Sequence, residues 1–300
     1  MTARKYLVVF NPLPNRRRTR RLNKLVAKLG QMQFDYTLYP TAPTVSANRI
    51  FFAKHHTEYT DVIVVGGDGT FNLMINVLID YNFNVALMPA GTGNDFARAW
   101  YGKNRNNLDY LLNVVTGEEN KTIHLGYCEF LGSKTAELVY YHNVLGIGFD
   151  AAIAKALRHN KGTVPSLSYL IAALWYIPLY REPECTISYD NKTETYFNFM
   201  TAFANSRFFG SGLPIAPKAN PEDNSVQMVK LAKQDLWTKL ALLVKLLFAK
   251  HSGSDHVEIK SMSQPLVVET TGLDIEADGE YLGQSPCKIG VSKQVLRLKQ

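Results

Sequence analysis

Cysteine is scarce in this chain: among 300 residues there are only Cys128, Cys185 and Cys287, far apart and with no CxxC pair. That argues against a disulfide framework or a cysteine-rich zinc site, and for a reducing compartment. Long apolar runs are missing as well. A helix that crosses a bilayer needs roughly 18 or more apolar residues in a row. The best stretches here, SLSYLIAALWYIPLY and LWTKLALLVKLLFAK, are broken by Pro178 and by Lys239 and Lys245. The opening MTARKYLVVFNP has too brief an apolar run for a signal peptide and reads as a first strand. Neither a Walker A pattern nor GxGxxG occurs, which removes the P-loop and the dinucleotide-fingerprint readings. Repeats and low-complexity tracts are absent too. The net charge of +7 suits anionic small molecules, an anionic membrane surface or nucleic acid, and by itself selects none of them. Without a recognisable nucleic-acid module, a nucleic-acid partner is not expected.

What is present is core material. A hydrophobic fraction of 46% and a charged fraction of 20% describe a globular chain long enough for two domains. Over about the first 100 residues, strand-like and helix-like segments alternate. KYLVVF, FDYTLYP, DVIVVGG and NVALMPAG read as strands. RRRTRRLNKLVAKLG, TVSANRIFFAKHH, TFNLMINVLIDYN and NDFARAWYG read as the helices after them, the second with Thr44 or Ser46 as N-cap. This rhythm predicts a parallel, doubly wound α/β domain over residues 1–122. From 123 to 300 the segments become short and often alternating, including ELVYYHNVLGIGFD, TETYFNFMTAFANS, LDIEADGEYL and VLRLKQ. They predict an antiparallel β sandwich or barrel, interrupted by helical inserts near 150–180 and 235–250.

Ligands of open α/β sheets bind beyond the carboxyl ends of the strands. Three loops leave such ends here: NPLPN, GGDGT and PAGTGND. Glycine lets the backbone approach a phosphate closely, and N–H groups at a helix start favour the anion. Thr70 and Thr92 can add hydroxyl contacts. Asp68 would repel a phosphate directly, so it suits a ribose, a metal-bound water or a magnesium shell. Taken alone, Gly-Gly-Asp-Gly is equally a tight turn.

The chain resembles the diacylglycerol kinase catalytic-domain family of soluble bacterial lipid kinases, related to sphingosine and ceramide kinases. The resemblance rests on NP at Asn11–Pro12, GGDGTFN at Gly66–Asn72 and PAGTGNDFAR at Pro89–Arg98, then on GIGFDA at Gly146–Ala151, APKA at Ala216–Ala219 and ADGE at Ala277–Glu280. It implies an N-terminal sheet domain like that of phosphofructokinases and NAD kinases, a C-terminal β sandwich, and ATP held between them. It further implies a nucleotide site of Asn11, Pro12, Thr41, Gly66, Gly67, Asp68, Gly69, Thr70, Thr92, Gly93, Asn94 and Asp95. Asp278 would be the base that takes the proton from a lipid hydroxyl, with Glu280 as the alternative. Mg²⁺ would involve Asp68 and, in a structural site, Asp223.

The chain departs from the family pattern at four places, the first of them two residues long. Pro14 and Asn15 stand where Ser or Ala and Gly are usual, and Pro14 has no N–H to give a phosphate. Leu73 replaces a Glu, His124 replaces a junction Asp, and Asn224 replaces a Gly beside Asp223. The resemblance therefore implies a cytoplasmic kinase of phospholipid metabolism, at the inner membrane face, that phosphorylates a lipid, diacylglycerol first. A kinase of another lipid or small alcohol, or an inactive nucleotide- or lipid-binding regulator, stays open, as does a homodimer. Two surface features bear on this. The run Arg16–Arg21 is either a solvated helix start or a site for an anionic partner, and DLWTKLALLVKLLFAK is either a helix packed on the sandwich or a membrane-surface element.

Overall fold

The computed structural model describes residues 4–132, 138–157 and 174–300, which divide into two compact units. The first unit takes residues up to Ile123 and, from the other end of the chain, Gln294–Gln300. Its strands are β1 (Lys5–Phe10), β2 (Asp35–Pro40), β3 (Asp61–Gly66) and β4 (Asn84–Pro89). Between and after them come α1 (Arg16–Gln31), α2 (Val45–His55), α3 (Asp68–Leu78), α4 (Asp95–Tyr101) and α5 (Leu108–Thr116). The strands pair in parallel in the order β4-β3-β1-β2. β3 is buried along its whole length, as the near-continuous run DVIVVG requires of a central parallel strand. The helix starts are set by side chains: Asn15 accepts from Arg18 N, Thr44 from Ala47 N and Asn107 from Tyr110 N. Helix α5 was not anticipated, although its signal is present. Asn107 caps it, and Leu108, Leu111, Leu112 and Val115 recur at helical spacing.

The second unit, His124–Lys293, is antiparallel throughout its described pairings. β5 (Asn120–Phe130) leads into it, followed by β6 (Leu138–Tyr141), β7 (Val144–Gly148) and α6 (Phe149–Leu157). Then come β8 (Glu184–Tyr189), β9 (Lys192–Ala204), β10 (Val226–Ala232), α7 (Leu236–Leu247), β11 (Glu258–Met262) and β12 (Leu266–Val268). β13 (Asp274–Ala277), β14 (Glu280–Gln284) and β15 (Cys287–Lys299) complete it. The strands form one connected path, β14-β13-β7-β9-β8-β12-β15, with β10 and β11 branching from β9 and β5 and β6 from β15. Of the helical insert expected near 150–180, α6 is seen, while 158–173 lie outside the described residues. The segment LDIEADGEYL is not one strand: it turns at Asp278 and Gly279, both at positive φ, into the β13-β14 hairpin. Cys128, Cys185 and Cys287, so distant in sequence, are free thiols packed in one apolar cluster of this unit.

One expectation about the division of the chain is corrected. The last residues were assigned to the sandwich, but the end of β15 joins the parallel sheet, pairing Arg297 with Asn84 and Leu298 with Val85. The physical reason is Lys299. Its side chain is fully buried, its ammonium pairs with the buried Asp61 carboxylate at the start of β3, and it donates to Val115 O at 3.0 Å. Trp100 Nε1 donates to Lys299 O at 2.9 Å. Burial pulls the ammonium below its ordinary value, and Asp61 opposes that shift. Removing one partner of such a pair leaves an uncompensated buried charge. Lys299→Met is therefore expected to destabilise the α/β unit by about 3–5 kcal/mol, and the double variant with Asp61→Asn by clearly less. Urea denaturation followed by near-UV dichroism checks both.

Candidate active site

The two glycine loops at the ends of β3 and β4 meet each other. A Cβ on Gly67 would lie 2.8 Å from Gly91 Cα, and one on Gly91 would lie 2.5 Å from Gly67 Cα. No side chain fits at either place. Gly66 is bare for a related reason, since a Cβ there would strike the Thr70 side chain at 2.4 Å. The second loop is closed by Asn94, which sits in the left-handed region at φ 50° and is buried. Its Oδ1 accepts from Gly91 N at 2.9 Å and its Nδ2 donates to Gly91 O at 2.8 Å.

Asp68 opens α3, but its carboxylate reaches across to the other loop. Oδ2 accepts from Asp95 N at 3.1 Å and Oδ1 from Phe96 N at 3.3 Å, so it caps α4. A carboxylate at a helix N-terminus satisfies orphan N–H groups and suits the local dipole. The start of α3 itself has no side-chain cap, which leaves its first-turn N–H groups facing the loop region where an anion can be held. Asp95 is buried, with Oδ1 3.8 Å from Arg98 Nε, while Thr92 and Gly69 are exposed. The first loop lies alongside. Asn11 Oδ1 accepts from Leu13 N at 2.9 Å, Pro12 and Pro14 are exposed, and buried Thr41 donates its N–H to Phe10 O at 2.9 Å. All the nucleotide residues expected from the sequence thus belong to strand ends of the first unit.

The metal expectations find no donor set. Both Asp68 oxygens carry backbone N–H groups, and exposed Asp223 takes part in a local turn, with Asn220 Nδ2 donating to its Oδ1 at 3.3 Å. Among the described residues, no three His, Cys, Asp or Glu side chains come together as metal ligands. His124 is a junction residue: its N–H donates to Pro221 O at 2.7 Å and its carbonyl accepts from Asn205 Nδ2 at 3.1 Å.

In the second unit, Asp278, the residue expected to be the base, is engaged by the protein itself. Its side chain is fully buried. Oδ1 accepts from Asn143 N at 2.9 Å and Val144 N at 3.2 Å, and Oδ2 from His142 N at 3.0 Å. The His142 imidazole lies against the same oxygen, with Nδ1 at 2.6 Å. In return, Asp278 N donates to Val144 O at 2.9 Å. A carboxylate so fully engaged is a clamp that pins the β13-β14 turn to the entry of β7. Glu280, two residues on, is only partly buried at the head of β14.

Behind the clamp lies an acid pair that sequence reasoning overlooked. Glu276 is buried and accepts from Gly279 N at 2.8 Å. Burial first, and then the neighbouring Asp150 and Asp278 carboxylates, push its pKa well above the carboxylate range. Burial likewise raises Asp150 to about 7. Asp150 Oδ1 accepts from Ala151 N at 2.9 Å, whereas buried Oδ2 has no partner. The signal was the spacing in GIGFD: a Cβ on Gly146 would fall 1.7 Å from Asp150 Oδ2, so glycine makes room for the carboxyl.

Asp150 also lines a small apolar cavity of about 70 Å³. Its walls include Ile177, Phe199, Val229, Leu242 and Leu246, so that α7 covers the sheet side formed by β9 and β10. Lys239 at its edge is paired with Glu182, and His251 is held by a 2.7 Å contact between Nε2 and Ile215 O.

Comparison with known proteins places these features. The model of the diacylglycerol kinase catalytic domain matches residues 5–128, and that of the YegS C-terminal NAD kinase beta sandwich-like domain matches 143–300. YtlR of Bacillus subtilis, a candidate lipid kinase by name, is 29% identical, with 98% of this chain and 99% of that protein covered. A diacylglycerol kinase of Mycobacterium tuberculosis is 29% identical over 79% of this chain and 76% of its own length. In fold, the chain is similar to the crystal structure of a candidate diacylglycerol kinase of Bacillus anthracis, at TM-score 0.76 and 19% identity, covering 99% and 97% of the two chains.

The raised Asp150 carboxyl has a consequence for stability. The folded chain holds this proton up to about pH 7, whereas the unfolded chain releases it near 3.8. Stability from this group is complete at low pH and falls as pH rises through that window. Asp150→Asn, which mimics the protonated state, is expected to match the wild type near pH 3 and to exceed it at pH 8 by about 3–4 kcal/mol. Denaturant midpoints at the two pH values check this.

Proposed function

The chain belongs to the diacylglycerol kinase catalytic-domain family, and from that premise we propose that it transfers the γ-phosphate of ATP to a lipid hydroxyl, diacylglycerol being the first candidate. The observation that carries a lipid rather than a small soluble alcohol is the apolar cavity under α7. Its walls are apolar, as an acyl chain requires, and the carboxyl that lines it, Asp150, adjoins Glu276, which accepts from Gly279 N in the Asp278–Gly279 turn. An acceptor with its chain in this cavity has its polar end directed towards that turn.

The phosphates rest on the uncapped start of α3 and on the facing glycine loops, whose backbone can approach closely because neither carries a side chain. In transfer, the acceptor oxygen bonds to the γ-phosphorus, the bond from that phosphorus to the ADP oxygen breaks, and the hydroxyl proton passes to a carboxylate. Glu280 is the carboxylate suited to that proton, since the lone pairs of Asp278 are engaged by backbone N–H groups. Mg²⁺ belongs in this reading with the nucleotide, as its counter-ion, because no carboxylate set among the described residues is built to keep it. The rest of the work is positioning.

Such an enzyme meets its substrate at a bilayer surface. No described helix is long and apolar enough to cross a membrane. Helix α7, however, is apolar on two faces. Leu242 and Leu246 cover the cavity, while Trp237 (78% exposed), Val244 and Phe248 (69% exposed) form an outer stripe beside Lys245 and Lys250. An apolar stripe flanked by cations suits the interface of an anionic membrane.

Radiolabelled transfer from ATP into diacylglycerol in mixed micelles tests the assignment. Glu280→Gln should lower kcat by about 10²-fold or more with little change in melting temperature. Asp278→Asn should instead cost about 3 kcal/mol of stability. If Asp278→Asn folds normally and only turnover disappears, the base is Asp278 after all. Separately, Trp237→Ala/Phe248→Ala should weaken cosedimentation with phosphatidylglycerol vesicles by about tenfold or more and leave thermal stability unchanged.

A further inference from the structure

Helix α1 carries Arg16, Arg17, Arg18, Arg20, Arg21, Lys24 and Lys28, with no acidic residue anywhere in it. Among the described residues none of these cations is ion-paired. Most of them project into water, where that is unremarked chemistry. Arg21 does not. It shares the buried face of the helix with Leu25 and Leu29 and is 6% exposed, yet its Nη1 is buried without a hydrogen-bond acceptor. Arg18, three residues earlier on the same face, has a buried Nη2 in the same condition. Burial, together with Arg17 and Arg20 nearby, lowers the Arg21 guanidinium to about 10. An unpaired buried cation of this kind is costly, and the natural compensation is an anion.

The neighbourhood identifies the anion. Arg17, one turn before Arg21, donates from Nη1 to Gly91 O at 3.1 Å and from Nη2 to Asn106 Oδ1 at 2.6 Å. This face of α1 is thereby tied to the glycine loop that Gly67 touches. Long helical side chains lean towards the N-terminus, and the N-terminus of α1 follows directly on the NPLPN loop. There Pro14 withholds the N–H that another residue would offer a phosphate. Guanidinium forks match phosphate oxygens two at a time.

We propose that Arg18 and Arg21 form a polyphosphate subsite, holding the phosphate chain of the nucleotide through charge-assisted hydrogen bonds where the first loop has lost backbone donors. This rests on the nucleotide reading above and adds residues that neither the glycine motifs nor the family pattern assigns.

Full-length wild type and Arg21→Met are compared by calorimetric titration with inorganic tripolyphosphate and with ATP. Expected are at least tenfold weaker binding of both (about 1.4 kcal/mol) and a ligand-free melting temperature at or above that of the wild type, because a desolvated cation has been removed. If Arg21→Met does not fold, Arg18→Met, whose side chain is only partly buried, carries the same comparison. Tripolyphosphate binding within twofold of the wild type in a folded variant overturns the subsite, as does its failure to bind the wild type. Lipid phosphorylation by the wild type is read separately. Transfer that persists alongside unchanged tripolyphosphate binding in the variant keeps the kinase and discards the arginine subsite.

Discussion

Gly67 and Gly91 touch backbone to backbone, and much of the first unit's chemistry follows from that contact. Two strand ends can bring their loops this close only where both lack a Cβ. Once the loops meet, Asp68 can reach from the start of α3 to the first N–H groups of α4. That bond locks the two helix starts together and spends the Asp68 carboxylate on the protein itself. Asn94 then folds the second loop back on Gly91 from its left-handed position. The product is a stiff pair of turns in which the α3 N-terminus stays uncapped. An anion there meets fixed dipoles and pays little for rearrangement.

The second unit solves a different problem, which is to keep several carboxyl groups in an apolar interior. Asp278 accepts from three backbone N–H groups and lies against the His142 imidazole. Asp150 and Glu276, close to one another and short of donors, are driven by burial towards their neutral forms. The same stretch thus carries one carboxylate engaged by backbone donors and two that burial makes reluctant to ionise. Asp150 lines the cavity, so its protonation sets the polarity of that part of the wall.

Much of the fold was legible in the sequence. The alternation of VIVV-type runs with capped amphipathic segments marks a parallel sheet, and the shift to short alternating strands marks where it ends. The glycine motifs marked the two loops at the ends of β3 and β4 that the structure brings together. Asp68, however, could be placed beside phosphates but not seen to bridge two helices, because its partners lie on another loop. Asp278 was legible as a special residue, but its engagement by backbone N–H groups was not. Its burial depends on Val144 and Asn143, more than a hundred residues away. Helix α5 had its pattern in plain view and was passed over because polar Asn residues surround it.

What the sequence by itself determined is therefore local and periodic: strands, helices, caps, the glycines that turns and close approaches demand, and the order of the motifs. These follow from side-chain size, φ preference and hydrophobic period, all properties of neighbouring residues. Only the tertiary structure decided which carboxylates are spent on backbone N–H groups, which arginines are buried without a partner, and that the last residues return to the first sheet through Lys299 and Asp61. Those outcomes depend on desolvation and on partners brought from far along the chain, and a residue's own neighbours carry no record of either.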